Sequence, residues 1–134
     1  MRVLDTDHCV EILRGNSAVA ARRREVKDLV VTTWVTAGEL YFGADRSDRA
    51  EANRRAVAGF LSTLQVLGPV AGAAEGFGSL KAKLEISGQR ISDADLWIAA
   101  AALIEGAVLV TGNERHYARI PGLQTENWIP RGGR

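Results

Sequence analysis

The run Leu29-Val30-Val31-Thr32-Thr33 narrows the fold more than any other feature of the chain. It is continuous and β-branched, the pattern of a strand buried on both faces. Such a strand belongs in a parallel sheet with helices packed against each side. Val3-Leu4, Gln65-Val66-Leu67 and Ala107 to Thr111 read as further short strands, and Leu123 to Ile129 as an edge strand before the polar end 131–134. Helical stretches alternate with them. One runs from Thr6 to about Arg14, where Gly15 closes it. A basic helix follows from Ser17 to about Val26, another covers Thr36 to Tyr41, and a long charged one spans Asp48 to Leu64. Val70 to Ile86 is helical in pattern but diluted by Gly72, Gly76 and Gly78. Ser92-Asp93-Ala94-Asp95 opens a helix that is apolar on every side from Leu96 to Ile104 and is expected at the centre. The alternation predicts one α/β domain, a three-layer sandwich around a four- to five-stranded parallel sheet.

Size and composition agree. A chain of 134 residues, 46% hydrophobic and 25% charged, has the make-up of one globular domain with a real core. A net charge of +1 gives no whole-molecule attraction to a polyanion, so any such binding needs a local patch or a metal. One cysteine, Cys9, excludes an internal disulfide framework and fits a reducing compartment. The opening MRVLDTDHCVEILRG lacks a signal-peptide apolar stretch, and the longest apolar run is too short to cross a bilayer. The expectation is a soluble cytoplasmic domain with no membrane contact.

Open parallel sheets bind ligands beyond the carboxyl ends of their strands. Asp5, Glu39, Asp95 and the Asn113-Glu114 pair all fall at that edge or on helices starting from it. Carboxylates gathered without Lys or Arg repel one another unless a cation sits among them, and hard oxygens suggest Mg²⁺ or Mn²⁺. Each residue has a plainer reading too. Asp5 caps a helix, and Asp95 forms a capping box with Ser92. Glu39 is a solvated helix residue, although its apolar neighbours Leu40, Tyr41 and Phe42 favour burial and hence a ligand role. Asp93 favours a helix start, Thr111 ends a strand with a hydroxyl that could orient a ligand, and Asn113 suits a turn. His8 and His116 read as structural or solvated, Cys9 as core, and Trp34, Trp97 and Trp128 as core or interface. Arg22-Arg23-Arg24 reads as a solvated face, with phosphate binding as its functional alternative.

Three segments carry a family resemblance. MRVLDTDHCVEILRG, TAGELYFGA and ISDADLWIAAAALIEGAVLVTGNERHYARIPGLQTENW resemble the blocks of the PIN-domain family, and within it the VapC-type toxin ribonucleases. The resemblance implies a PIN-like, Rossmann-like fold. It maps the family's acids onto Asp5, Glu39 and Asp95, and its fourth position onto Thr111-Gly112-Asn113. It also implies Mg²⁺- or Mn²⁺-dependent hydrolysis of an RNA phosphodiester by a metal-activated water, a cognate VapB-type antitoxin and a homodimer. Three departures stand out: Asp7 where Asn or Ser is more usual, Asp93 beside Asp95, and Asn113 in place of an aspartate, with Glu114 adjacent as a substitute. Two other readings compete. A PIN-like domain weakened at its fourth position would be a binding module for RNA or protein. Asp5-Thr6-Asp7 also resembles the paired aspartates of haloacid-dehalogenase-type phosphatases, with Asp5 as nucleophile and Asp7 as acid/base.

Overall fold

The computed structural model describes residues 1–131, so the polar end lies outside the described residues beyond Arg131. Five strands form one sheet: β1 (Arg2–Leu4), β2 (Val30–Thr33), β3 (Gln65–Leu67), β4 (Val108–Val110) and β5 (Gln124–Glu126). All neighbours run parallel, in the order β3-β2-β1-β4-β5. Seven helices connect them: α1 (Thr6–Leu13), α2 (Ser17–Glu25), α3 (Trp34–Asp45), α4 (Ala50–Leu61), α5 (Ala71–Ile86), α6 (Asp93–Ile104) and α7 (Glu114–Tyr117).

Side chains that alternate along the strands divide the core in two. Val3, Val31 and Leu109 join Leu84, Leu96, Ile98, Ala99, Ala102 and Tyr117 on the face covered by α5, α6 and α7. Leu4 and Val110 join Cys9, Val19, Leu40, Val57, Phe60 and Trp128 on the face covered by α1 to α4. The continuous apolar character of β2 therefore reports burial on both sides. Its buried Thr32 is satisfied by donating a hydrogen bond to the Leu4 carbonyl, 2.8 Å away.

Two features differ from the expected ones for physical reasons. Helix α3 starts at Trp34, directly after β2, because the Thr33 hydroxyl accepts from the Thr36 N–H at 3.2 Å and caps it. Helix α7 has no counterpart in the sequence pattern, since four residues are too few to show a periodicity. Helix α6 is central as expected, with five buried residues, but its last residue, Ile104, is 52% exposed. Among the described residues, no helix is long and apolar enough to cross a membrane.

The chain lays β1, β2 and β3 outward in one direction, then returns to place β4 on the other side of β1. The strand order thus reverses between β1 and β4, and the crevice beyond their carboxyl ends is where an open α/β sheet binds ligands. Asp5 follows β1 and Thr111 follows β4, so both flank that crevice.

Candidate metal centre

Asp5 is 6% exposed and fastened on both sides. Its backbone N–H donates to the Val110 carbonyl at 2.9 Å, extending the β1–β4 ladder by one residue. Carboxylate Oδ1 accepts from the Thr6 N–H and so caps α1, while Oδ2 accepts from the Thr111 hydroxyl, each at 2.8 Å. The capping and functional readings of Asp5 are therefore compatible. Burial above all, then the charge of Asp7, pushes its pKa up to about 6, against the opposing hydrogen bonds from Thr111 and Thr6; Asp95 adds to the rise. Asp5 has no ion-pair partner among the described residues.

Glu39 comes to the same rim from α3, where its carboxylate accepts from the Thr6 hydroxyl. Thr6 is also within 3.1 Å of the Thr36 hydroxyl, so α1 and α3 share one small network. The expected burial of Glu39 does not hold: its carboxylate is exposed. Of its apolar neighbours only Leu40 is buried; Tyr41 is half-buried and Phe42 is 66% exposed, so α3 turns Glu39 to the same outer side as Phe42. The cost of a buried unpaired charge therefore cannot be the reason to assign it a role.

Asp95 stands in the first turn of α6. Ser92 caps that helix by accepting from the Asp95 N–H at 3.2 Å, but the Asp95 carboxylate turns to His116, with Oδ2 and Nε2 3.2 Å apart. The expected reciprocal box is thus half made. His116 thus sits at the rim as the partner of Asp95, a contact compatible with its structural reading. Its neighbour Tyr117 is fully buried, with its hydroxyl set against the carboxylates of Asp5 and Asp95. Burial first, then those two charges, holds the hydroxyl protonated.

The remaining candidates sit around this group. Asp7 accepts from the Gly112 N–H (Oδ2, 2.8 Å) and from His8 (Oδ1, 2.8 Å). His8 Nε2 accepts from the Trp128 N–H at 3.0 Å, so the proton is assigned to Nδ1 and points at Asp7. His8 is structural, as expected. The Thr111 hydroxyl, besides holding Asp5, accepts from the Asn113 N–H at 3.0 Å. The Asn113 side chain makes no capping bond on α7. Glu114 turns towards β5, where it accepts from the Thr125 hydroxyl at 3.0 Å. Asp93 pairs with Lys81 at 3.1 Å and is 62% exposed. Two of the three clustered arginines serve the fold itself. Arg22 reaches Glu126 at 3.4 Å, and Arg23 donates to the Thr63 carbonyl at 3.1 Å.

Gly112 is tied to Asp7 sterically as well. A Cβ at that position would fall 2.9 Å from Asp7 Oδ2, whose carboxylate His8 holds in place. Gly112→Ala is expected to break the Asp7 bond and lower stability by about 1–2 kcal/mol, read as a lower urea midpoint.

Asp5, Glu39 and Asp95 share this rim without closing into a cage. Among the described residues, no three His, Cys, Asp or Glu side chains converge as they stand closely enough to hold a metal ion. Glu39 is drawn to Thr6 and Asp95 to His116. The donors nevertheless suit a hard divalent cation. They are carboxylates, and the buried Asp5 lacks a cationic partner among the described residues.

Known proteins decide the family. The PIN domain family matches residues 2–123. The chain belongs to the PIN-domain family, as a VapC-type ribonuclease. This PIN domain is 34% identical over 128 residues to ribonuclease VapC2 of Haemophilus influenzae, covering 95% of the chain and 97% of that protein. It is 33% identical over 127 residues to the tRNA(fMet)-specific endonuclease VapC of Shigella flexneri, covering 94% and 96%. Its fold matches the DNA-bound VapBC structure from Salmonella typhimurium with TM-score 0.90 and 32% identity, over 96% of this chain and 98% of that one. VapBC2 from Rickettsia felis, bound to a promoter DNA fragment, matches with TM-score 0.89 and 30% identity over 95% and 98%. The sequence motifs that resemble the PIN family and the sheet that they predict therefore describe the same protein.

Proposed function

We propose that this PIN domain hydrolyses RNA phosphodiester bonds with a divalent cation held at Asp5 and Asp95, as the toxin of a toxin–antitoxin pair. The observation that carries the reading is the buried Asp5 carboxylate, without a cationic side chain beside it, at the switch point of the sheet. A bound Mg²⁺ or Mn²⁺ there supplies Lewis-acid activation of a water and neutralises charge on the phosphate oxygens. Thr111 and the Thr6 N–H fix the Asp5 carboxylate, so it needs little reorganisation. Asp95 completes the anchoring pair. Glu39, exposed on α3, would exchange its bond from Thr6 for a proton from the attacking water. Asn113 lies beside Thr111 as a neutral contact for water or phosphate. Asp93 and Glu114, each with a partner elsewhere, support the surrounding structure. The products expected are 5′-phosphate and 3′-hydroxyl ends.

The phosphatase reading requires a free Asp7 carboxyl to act as acid and base. Both of its oxygens are committed, to Gly112 and His8.

A partner fits beside the rim. An open groove of about 400 Å³ runs between α1, α3 and α4, lined by Thr6, Val10, Glu39, Leu40 and Val57 among others. A VapB-type antitoxin, the companion in the related VapBC structures, laid in this groove would reach the acids and block them. The exposed Trp34 and Phe42 on α3 suit a homodimer contact, and the setting is the cytoplasm.

Purified protein is expected to cleave structured RNA, tRNA first among those to try, with Mg²⁺ or Mn²⁺ and not in EDTA. Cleavage that persists undiminished in EDTA overturns the proposal. Calorimetry showing no Mn²⁺ binding near neutral pH favours the binding-module reading instead.

A further inference from the structure

Three arginines stand exposed on the Asp95 side of the rim: Arg90 in the loop before α6, Arg115 in α7 and Arg119 just after it. Their backbones are anchored while their guanidinium groups are left open. Ile91 and Ile120, which directly follow Arg90 and Arg119, are buried in the same core cluster as Tyr117. Arg119 Nη1 donates to the Arg90 carbonyl at 3.0 Å and ties the two segments together. Ala118 keeps right-handed helical backbone, so Arg119 follows Arg115 by about one turn on the same side of α7. His116, next to Arg115, meets Asp95, so the group begins beside the acids. None of the three guanidinium groups has an ion-pair partner among the described residues. The neighbouring acids are occupied, Asp93 by Lys81 and Glu114 by Thr125. Glu85, across the open hollow that Arg90 lines, sets one negative charge against these three positive ones. The arginines of α2 differ, because Glu126 and Thr63 engage Arg22 and Arg23.

We propose that Arg90, Arg115 and Arg119 hold the phosphate backbone of the RNA where it runs past α6 and α7 to Asp95. The proposal rests on the reading of this rim as an RNA-cleaving site and adds where the substrate lies. A net charge of +1 draws no polyanion to the molecule as a whole, and bare carboxylates repel phosphate, so affinity must come from local cations. An unpaired guanidinium breaks no ion pair when it takes a phosphate, and its planar donors match phosphate oxygens two at a time. Contacts to the backbone carry no base information; they fix where the strand lies against the acids. The groove between α1, α3 and α4 lies on the other face of the sheet, so substrate and antitoxin come from opposite sides and meet at the rim.

Fluorescence anisotropy of a labelled single-stranded RNA with the full chain in EDTA tests this, because it needs neither cleavage nor a cation. The parent should bind, more weakly as KCl rises. Arg90→Ala, Arg115→Ala and Arg119→Ala combined should weaken binding at least about 10-fold and flatten the slope of log affinity against log salt by about 0.7 for each phosphate contact removed. Arg24→Glu, on exposed α2, makes a comparable charge change away from the rim and should leave affinity nearly unchanged. With Mg²⁺ or Mn²⁺ the triple variant should raise KM while kcat and calorimetric Mn²⁺ affinity stay close to the parent's. Because Arg119 also holds the Arg90 carbonyl, Arg90→Ala with Arg115→Ala, which spares that bond, replaces the triple variant if the latter does not fold. A parent that binds no RNA in EDTA, a triple variant that binds like the parent, or an equal loss in Arg24→Glu overturns the proposal. Cleavage by the parent in that event leaves the role of the acids standing. Binding that the triple variant loses, in a parent that cleaves no RNA, keeps the arginines as an RNA surface and overturns hydrolysis instead.

Discussion

Asp5→Asn should lower RNA cleavage by at least about 10²–10³-fold, the scale on which one preorganised electrostatic group matters, while making the metal-free protein more stable. The two effects have the same origin. Burial first, and the Asp7 charge second, disfavour the ionised carboxylate and raise its pKa from 3.8 to about 6. A carboxyl that titrates higher when folded than when unfolded favours folding while protonated. That contribution is intact below about pH 4 and is lost as the pH rises through 6. At neutral pH the ionised group costs about 3 kcal/mol, an upper figure for a site that cations and water can screen. The introduced amide would keep the cap by accepting from the Thr6 N–H through its oxygen, and its NH₂ could donate to the Thr111 hydroxyl after that hydroxyl rotates. In EDTA the variant should therefore melt several degrees above the parent at pH 7.5. The difference should shrink towards zero as the pH falls through 6 to below 4. Added Mn²⁺ should raise the melting temperature of the parent and leave that of the variant unmoved. Undiminished cleavage by Asp5→Asn would end the metal-centre reading, and a melting temperature below the parent's at pH 7.5 would show that Asp5 is structural.

The features that make the architecture legible in the sequence are those that burial writes into it. The β-branched run at 29–33 signals a strand covered on both faces, and Leu96 to Ile104 signals a helix at the centre. Strand ends locate Asp5 and Thr111, and topology alone brings them to one crevice. Glu39 shows the limit of such reasoning: its apolar neighbours imply burial, yet of them only Leu40 is buried, and Glu39 shares the outer side of α3 with Gly38 and Phe42. His116 and Tyr117 escape it because α7 is a single turn, too short for hydrophobic periodicity. The signal available is Asn113 as a helix start, which places residues three and four positions later on one face. The pairing of His116 with Asp95 is tertiary, and nothing local in either segment encodes it.

His8→Leu should act in the opposite sense to Asp5→Asn, costing about 2–4 kcal/mol of stability and reducing activity only secondarily. His8 is fully buried, and Leu matches it roughly in volume, so a cavity is not the cause. The loss is polar. The Trp128 N–H would be buried without its acceptor, and Asp7 would lose the donor that fixes it against the Gly112 N–H. This chain of bonds fastens the segment after β5 to the loop after β4, and that loop carries Thr111 and Asn113 to the rim. Asp7→Ala should cost less, about 1 kcal/mol, because its side chain is 39% exposed and water replaces part of what is lost. The two substitutions act on one network, so their combination should fall short of the sum, a coupling that urea midpoints of the four proteins would reveal. If His8→Leu melts with the parent, the bridge between Trp128 and Asp7 does not hold the rim. A strictly additive double variant would mean instead that Asp7 positions Gly112 without help from His8.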